Sequence, residues 1–211
     1  MSFTDNFDET GPTNLEDRTP SGGGAWTLVS GAAGAAVVAA NVLKANSTTA
    51  SVYTCTDQGS ADQVATFRSK IFATTNTNSF VCISLVDVDN FIGWRLNGTG
   101  STGRRLTKRV AGVNTDLITS QGVDEEWIKL ERSGHTVKFY QGGTGASPSW
   151  TPVGADQTVT NFSGETSQGV RTADSSGNAW IDDIELAALA GAATSYVMPR
   201  SAYKFQHLMV R

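Results

Sequence analysis

The stretch from Asp124 to Gly143, DEEWIKLERSGHTVKFYQGG, reads as two strands folded about a tight turn. Strand-forming residues flank Ser133-Gly134, a dipeptide that supplies the positive φ a two-residue hairpin loop requires. Folding about that pair predicts Arg132 opposite His135, Leu130 opposite Val137 and Ile128 opposite Phe139. The last two pairs put four apolar side chains on one face, as a half-buried strand pair needs. The other face takes Glu131 with Thr136, Lys129 with Lys138, and Trp127 with Tyr140. A one-residue slip would turn the apolar set to water, so the facing of these strands is strongly specified.

The rest of the chain is consistent with a sheet protein. Of 211 residues, 39% are hydrophobic and 17% charged, with 22 glycines but 5 prolines, which fits a domain with a core and many short strands. Residues 1–25 are turn-rich, with Phe3, Phe7 and Leu15 as spaced apolar anchors. Trp26–Val29, Val37–Leu43, Ala50–Cys55 and Val64–Phe72 are expected strands, although the alanine-rich 32–40 also allows a short helix. Ser79–Val88 is apolar on both faces and is expected in the middle of a sheet. Its one side holds Phe80, Cys82, Ser84, Val86 and Val88; the other holds Val81, Ile83, Leu85 and Asp87. Phe91–Leu96 follows an Asp89-Asn90 turn, and Arg104–Ala111 with Val113–Thr119 form a hairpin about Gly112. Trp150–Val153, Gln157–Phe162, Thr166–Arg171 and Ala179–Leu186 complete the series. Strands about every eight to twelve residues, without convincing helices between them, predict an all-β sandwich or barrel.

The character changes after Leu186. Ala187–Ala193 reads as a small-residue linker, and Thr194–Arg211 is basic and apolar. All 20 acids lie at or before Glu185 and 3 of the 16 basic residues lie after it, which leaves the body at −7 and the last 25 residues at +3. We therefore expect a body over 1–186 and an assembly arm over 187–211, whose Tyr196, Met198, Arg200, Tyr203, Phe205 and Met209 dock on a neighbouring surface. A net charge of −4 speaks against general nucleic-acid binding. Cys55 and Cys82 are expected free, buried and reduced. MSFTDNFDET lacks the basic and apolar sections of a signal peptide, and Gly31–Val42 is too short to span a bilayer. Synthesis in a host cytoplasm, with no membrane partner, is the expectation.

Several motifs follow one another in a telling order. Asp5-x-Phe7, Gly11, Leu15, Thr19-Pro20, Gly23-Gly24 and Trp26 come first. Leu106–Gly112, Trp127–Leu130, Gly134 and Val137–Tyr140 come next, and Gly169–Thr172 with Trp180–Leu186 closes the series. Together they resemble concanavalin A-like (laminin-G-like) jelly-roll domains of the kind found in bacteriophage structural proteins. The resemblance covers roughly residues 5–186. It implies an all-β, concanavalin A-like jelly-roll sandwich of two antiparallel sheets, here with a C-terminal extension arm. It also implies a structural calcium where the terminal strands meet, with Asp5, Asp8, Asp182 and Asp183 at hand; ordinary strand-end acids are the other reading.

Catalytic chemistry is harder to find. The Glu-x-Asp-x-Glu run of jelly-roll glucanases, whose same-face spacing sets two carboxyls roughly 5–5.5 Å apart, does not occur. Asp87-x-Asp89 comes nearest and is expected to be a solvated pair beside a turn, as Asp124-Glu125-Glu126 is expected to be a solvated strand entry. Gly98-x-Gly100-x-x-Gly103 matches a dinucleotide fingerprint as a string, but a strand rather than a helix follows it, so a loop is expected. Arg104, Arg105, Lys108 and Arg109 form the densest basic cluster, open either to an acidic partner or to solvent. Trp127 and Tyr140 form a possible stacking platform for sugar rings, unless a second layer or a loop covers them. His135 and His207 are isolated, so neither a zinc site nor a nucleophilic triad can be built. No enzyme, metal or cofactor is expected.

The first functional expectation is a structural protein of a bacteriophage particle: a capsid decoration or cement protein on the virion surface. Its partners would be other virion proteins or its own copies, held through the arm. The alternative is a carbohydrate-binding module that uses Trp127 and Tyr140 on surface glycans. A glycoside hydrolase ranks third.

Overall fold

Period-two alternation of apolar and polar residues recurs along this chain, and a strand with that pattern must lay one face on another layer. The computed structural model describes residues 2–55, 59–70, 76–97, 104–123, 125–174 and 179–189, and shows how that is done. One sheet runs β14 (Thr151–Pro152), β13 (Thr136–Gln141), β12 (Glu126–Ser133), β7 (Gln63–Ser69), β17 (Ala179–Ala188), β5 (Leu43–Ala45), β4 (Ala36–Val38), β2 (Thr13–Asn14). In the same sheet β1 (Ser2–Asp5) pairs with β17 and β15 (Gln157–Thr158) with β13. The second sheet runs β11 (Val113–Ser120), β10 (Arg104–Val110), β9 (Asn90–Asn97), β8 (Asn76–Asp87), β16 (Gly169–Asp174), β6 (Ser47–Thr54), β3 (Thr27–Ser30). Every pairing is antiparallel. This is the expected concanavalin A-like jelly-roll sandwich.

The core lies between the sheets. Phe67, Ile128, Leu130, Val137, Phe139, Ile184 and Leu186 from the first face Val81, Ile83, Ile92, Trp94, Leu106 and Val170 from the second. The Phe67 and Trp94 rings meet edge-on across the gap, with centroids 5.0 Å apart. Phe3, Phe7 and Leu15 are buried anchors, as expected, and Phe3 packs edge-on against Trp26 at 4.9 Å. Cys55 and Cys82 are both buried and neither forms a disulfide among the described residues. β17 continues to Ala188, two residues into the stretch expected to be linker.

Three local expectations need correction. The hairpin turns about Gly134-His135 rather than Ser133-Gly134: Ser133 pairs with Thr136, Arg132 with Val137 and Leu130 with Phe139. Gly134 (φ +55) takes the first loop position, where a positive φ is needed in the II′ arrangement, and not the second. Each partner thus moves by two, so the same side chains still share a face, but Tyr140 opposes Lys129 and not Trp127. The alanine-rich segment is neither a helix nor one strand. It forms β4 and β5, joined through Ala40 and Asn41, both at positive φ. β8 is central, between β9 and β16, but it bulges at Ser84 (φ +52) and its alternation reverses there. Leu85 consequently joins Phe80, Cys82 and Phe91 on the outer side, and Val86 is exposed.

Inward polar side chains tie the two sheets together. Arg132 of β12 donates through Nη1 to Ser84 Oγ (2.7 Å), and through Nη2 to the carbonyls of Asn161 (2.8 Å) and Val159 (3.3 Å). Gln63 of β7 accepts from the Ser84 amide at 2.6 Å and donates to the Glu165 carbonyl at 3.0 Å. At the other side of the sandwich Arg104 of β10 pairs with Glu126 of β12. Removing a buried donor leaves its acceptors unsatisfied. Arg132→Ala is expected to lower the unfolding free energy by ~2–4 kcal/mol, whereas Lys138→Ala on the outer face should stay within ~0.5 kcal/mol. Urea unfolding of both variants measures the difference.

Candidate functional site

β12 points Glu126, Ile128, Leu130 and Arg132 inward, so Trp127, Lys129 and Glu131 stand half-buried on the outer face of the ten-stranded sheet. Strand pairing extends one row across that face, from Tyr140 through Lys129, Thr66 and Glu185 to Thr4. Neither sheet covers this row. A loop buttresses the indole instead: Trp127 Nε1 donates to the Gly145 carbonyl at 2.8 Å, and the backbones of Trp127 and Gly142 bond at 2.8 Å. A Cβ at Gly142 would lie 2.7 Å from Pro148 and 2.8 Å from Trp150, so the loop approaches this closely only because that residue has no side chain.

Trp127 forms one wall of an open pocket of about 270 Å³. Thr66, Asp183 and Glu185 line its floor, and Thr4, Asn6 and Ser21 its far side. The Asp183 and Glu185 carboxylates have no hydrogen-bond or ion-pair partner among the described residues. Asp183 is the extra residue of a bulge in β17, between Asp182 and Ile184, and holds φ +45. The neighbouring acids are occupied: Lys70 Nζ lies 2.5 Å from Glu125 and 3.5 Å from Asp182, and Arg68 lies 3.1 Å from Glu125. Burial pushes the Asp183 carboxyl above the ordinary aspartate value, against the pull of Arg68 and Lys70. Burial, followed by the neighbouring Asp183, raises Asp182 in the same way.

Tyr140 shares the outer face but does not line the pocket. Lys129 Nζ sits 4.1 Å above its ring and 5.1 Å from that of Trp150, and is itself 2.7 Å from Glu131. Burial raises the Tyr140 phenol to about 12, with the bond to Glu131 adding to the shift. Of the two residues expected to form a stacking platform, one therefore fronts a cavity and the other lies under a lysine.

The acids expected at a calcium site do not fit one. Asp5 points inward, where it accepts from Arg18 Nη2 at 2.6 Å, Trp26 Nε1 at 2.7 Å and the Phe7 amide at 3.1 Å, so a cation already occupies it. No group of three or more His, Cys, Asp or Glu side chains among the described residues is arranged to hold a metal ion. Asp87 accepts from the Asp89 amide and the Asn90 side chain, and Asp89 takes Arg109 at 2.8 Å, so both belong to the β8–β9 turn. That turn is Val88-Asp89, since Asp87 pairs with Asn90. Pleating divides the basic cluster. Arg104 is buried on Glu126, while Arg105 and Arg109 reach the outer face and pair with Asp116 and Asp89. Ile71, Phe72, the glycine string 98–103, Asp124, and the arm with Tyr196, Met198, Arg200, Tyr203, Phe205 and Met209 lie outside the described residues.

Asp183 and Glu185 escaped the sequence reading as partners of Trp127. Fifty-six positions separate Trp127 from Asp183, and only strand order joins them. A raised folded value means that ionisation of Asp183 opposes folding. Its contribution is favourable below the unfolded value and is lost as pH rises through the folded one. Asp183→Asn, which also suits positive φ, should therefore keep or raise the melting temperature at pH 7 and remove a carboxyl titration whose midpoint lies above 3.8. Thermal melting at pH 7 checks the first, and carbon-13 NMR of the carboxyl group against pH the second.

No protein-family model matches the sequence, and neither does any curated protein sequence. Among solved structures the chain is similar to the exoplasmic/lumenal domain of VIP36 in its Ca2+/Man-bound form, with TM-score 0.55, 9% identity, and 82% of this chain and 87% of that one covered. It also matches the carbohydrate-binding module CBM66 from Bacillus subtilis at TM-score 0.49 and 16% identity, over 85% of this chain and 94% of that one. A xylan beta-1,4-xylosidase from Bacillus halodurans matches at TM-score 0.49 and 16% identity, with 69% of this chain spanning 31% of that one. The last two likenesses are too loose to argue from; the first shows a shared fold.

Proposed function

We propose that this chain is a non-enzymatic carbohydrate-binding module that holds a neutral sugar ring against Trp127. The observation that carries the reading is the half-buried indole facing two unengaged carboxylates across one small cavity. A sugar ring is apolar on its C–H face and polar at its rim. The indole offers a flat apolar surface to the first, and each ionised carboxylate accepts hydroxyl protons from the second. The side chains of Thr4, Asn6 and Ser21 add donors at the far wall. A volume of about 270 Å³ sits at the lower edge of the ~300–1,000 Å³ typical of ligand pockets, which suits a monosaccharide unit better than a long chain. The VIP36 domain shares the fold and is described with mannose bound, so this fold can present a sugar.

On a glycan array the protein is expected to retain a subset of neutral glycans. Trp127→Ala should weaken the best of them by ~10-fold or more, as loss of one aromatic contact and its burial requires, while the protein stays folded with a lowered melting temperature, since the indole also bonds the Gly145 carbonyl. Glu185→Gln should weaken binding less, since an amide oxygen still accepts. Equal retention by all three proteins would exclude the pocket. Release of reducing ends from a bound glycan, abolished in Glu185→Gln, would overturn the non-enzymatic reading.

The tail favours a second, compatible role. Its +3 charge and eight large apolar residues, set against a body of −7, suit a peptide that docks on an assembly, so the module could be carried on a virion surface. Deleting Thr194–Arg211 is expected to leave glycan binding intact and abolish incorporation into particles; normal incorporation of the truncated chain would remove this role.

A further inference from the structure

The outer face of the seven-stranded sheet carries a second arrangement that the pocket does not use. Strand pairing lines up Val52, Arg171, Phe80, Arg95, Arg105 and Thr119 in one row across it. Arg171 lies over the rings of Phe80 and Phe91, with its Cζ at 5.6 and 5.9 Å from their centroids, and donates through Nε to the Val88 carbonyl at 2.9 Å. Arg105 pairs with Asp116, whose other oxygen accepts from Thr107 at 2.9 Å. Arg109 pairs with Asp89. Both acids are thus committed to other residues.

Arg95 is different. Its guanidinium is half-buried, its Nε is shielded from water without an acceptor, and it has no hydrogen bond or ion pair to any described residue. Burial lowers its pKa against the pull of Asp116, which Arg105 and Thr107 hold, and the adjacent Arg105 adds to the lowering. A guanidinium cannot shed its proton to relieve this, and a partly desolvated charge without a partner is costly. The next outward position along β9 is Gly93, where a Cβ would lie 2.9 Å from the Val81 carbonyl oxygen and 3.3 Å from both Cys82 Sγ and Phe80 Cβ, so the neighbouring strand packs closely there and Arg95 is the next side chain along that face of β9. A planar fork with an orphaned Nε, beside three further arginines and two acids committed to other residues, suits a planar anion that accepts two parallel N–H bonds.

We propose that Arg95, with Arg105 beside it, is the receptor for a carboxylate carried by an acidic sugar. The carboxylate contact is independent of the Trp127 pocket, which opens on the other sheet; only the choice of a sugar acid as carrier rests on the proposed function.

The test uses the full chain and D-glucuronate, with glucose, acetate and inorganic sulfate as comparison probes, and follows the Arg95 Nε–H resonance, assigned by its disappearance in Arg95→Gln. Glucuronate is expected to shift that resonance saturably. Arg95→Gln should weaken binding by ~10-fold or more, the value of a charge-assisted contact. Arg95→Lys should restore part of it, because the charge returns without the fork. Trp127→Ala should leave it unchanged. Arg95→Gln removes no hydrogen bond or ion pair to a described residue and relieves a partly desolvated charge, so its melting temperature should equal or exceed that of the parent; a marked fall would show a structural role and overturn the proposal. An equal shift with glucose, tighter binding of sulfate, or undiminished binding by Arg95→Gln would each overturn it too. Acetate binding as tightly as glucuronate would remove the sugar from it. Loss of neutral-glycan binding in Trp127→Ala with glucuronate binding retained separates the two sites.

Discussion

The inner faces of the two sheets are apolar and leave water only by lying on each other, and most of the remaining structure is subordinate to that contact. The burial of side chains such as Phe67, Trp94, Leu130 and Phe139 contributes ~1.5–3 kcal/mol apiece, against an ordering cost of ~1–2 kcal/mol for every residue held in place. Some of the polar groups admitted to the interior bond across the layers: Arg132 and Gln63 on the Ser84 bulge, and Arg104 on Glu126. They contribute orientation more than stability, because a hydrogen bond aligns two sheets that grease alone would let slide.

That division leaves two outer faces free for chemistry. On the larger sheet an indole, two uncommitted carboxylates and a rim of hydroxyls suit a neutral polyol. On the smaller one, arginines outnumber acids, and Arg95 has no hydrogen-bond or ion-pair partner among the described residues. The body is acidic as a whole, so the arginine face is a local exception rather than a consequence of net charge. The two faces share no side chain and are separated by the packed core, so occupation of one need not disturb the other.

The fold was legible because facing in a strand depends on period two, and errors of two cancel. Placing the β12–β13 turn one residue early left Ile128, Leu130, Val137 and Phe139 on the buried side all the same. What failed were features with no period. The Ser84 and Asp183 bulges each insert residues that no propensity announces, and the split of the alanine-rich segment depends on positive φ at Ala40 and Asn41. The candidate sites were legible only in part for a different reason. Trp127 stands out by type, but its partners Asp183 and Glu185 arrive through strand order, and Arg95 is a single basic residue beside the denser run Arg104, Arg105, Lys108 and Arg109. Pleating then sent Arg104 inward and left the isolated arginine in the more open position.

At the Asp183 bulge β17 changes phase. Ile181, Ile184 and Leu186 all face the core, at intervals of three and then two, which no regular strand allows. The surplus residue acts as a phase shifter: upstream and downstream halves of β17 count on opposite parities, and the same backbone kink that swings Ile184 inward turns a carboxylate out beside Trp127. Packing and recognition are thereby written into a single peptide unit, and neither can drift without the other registering the change.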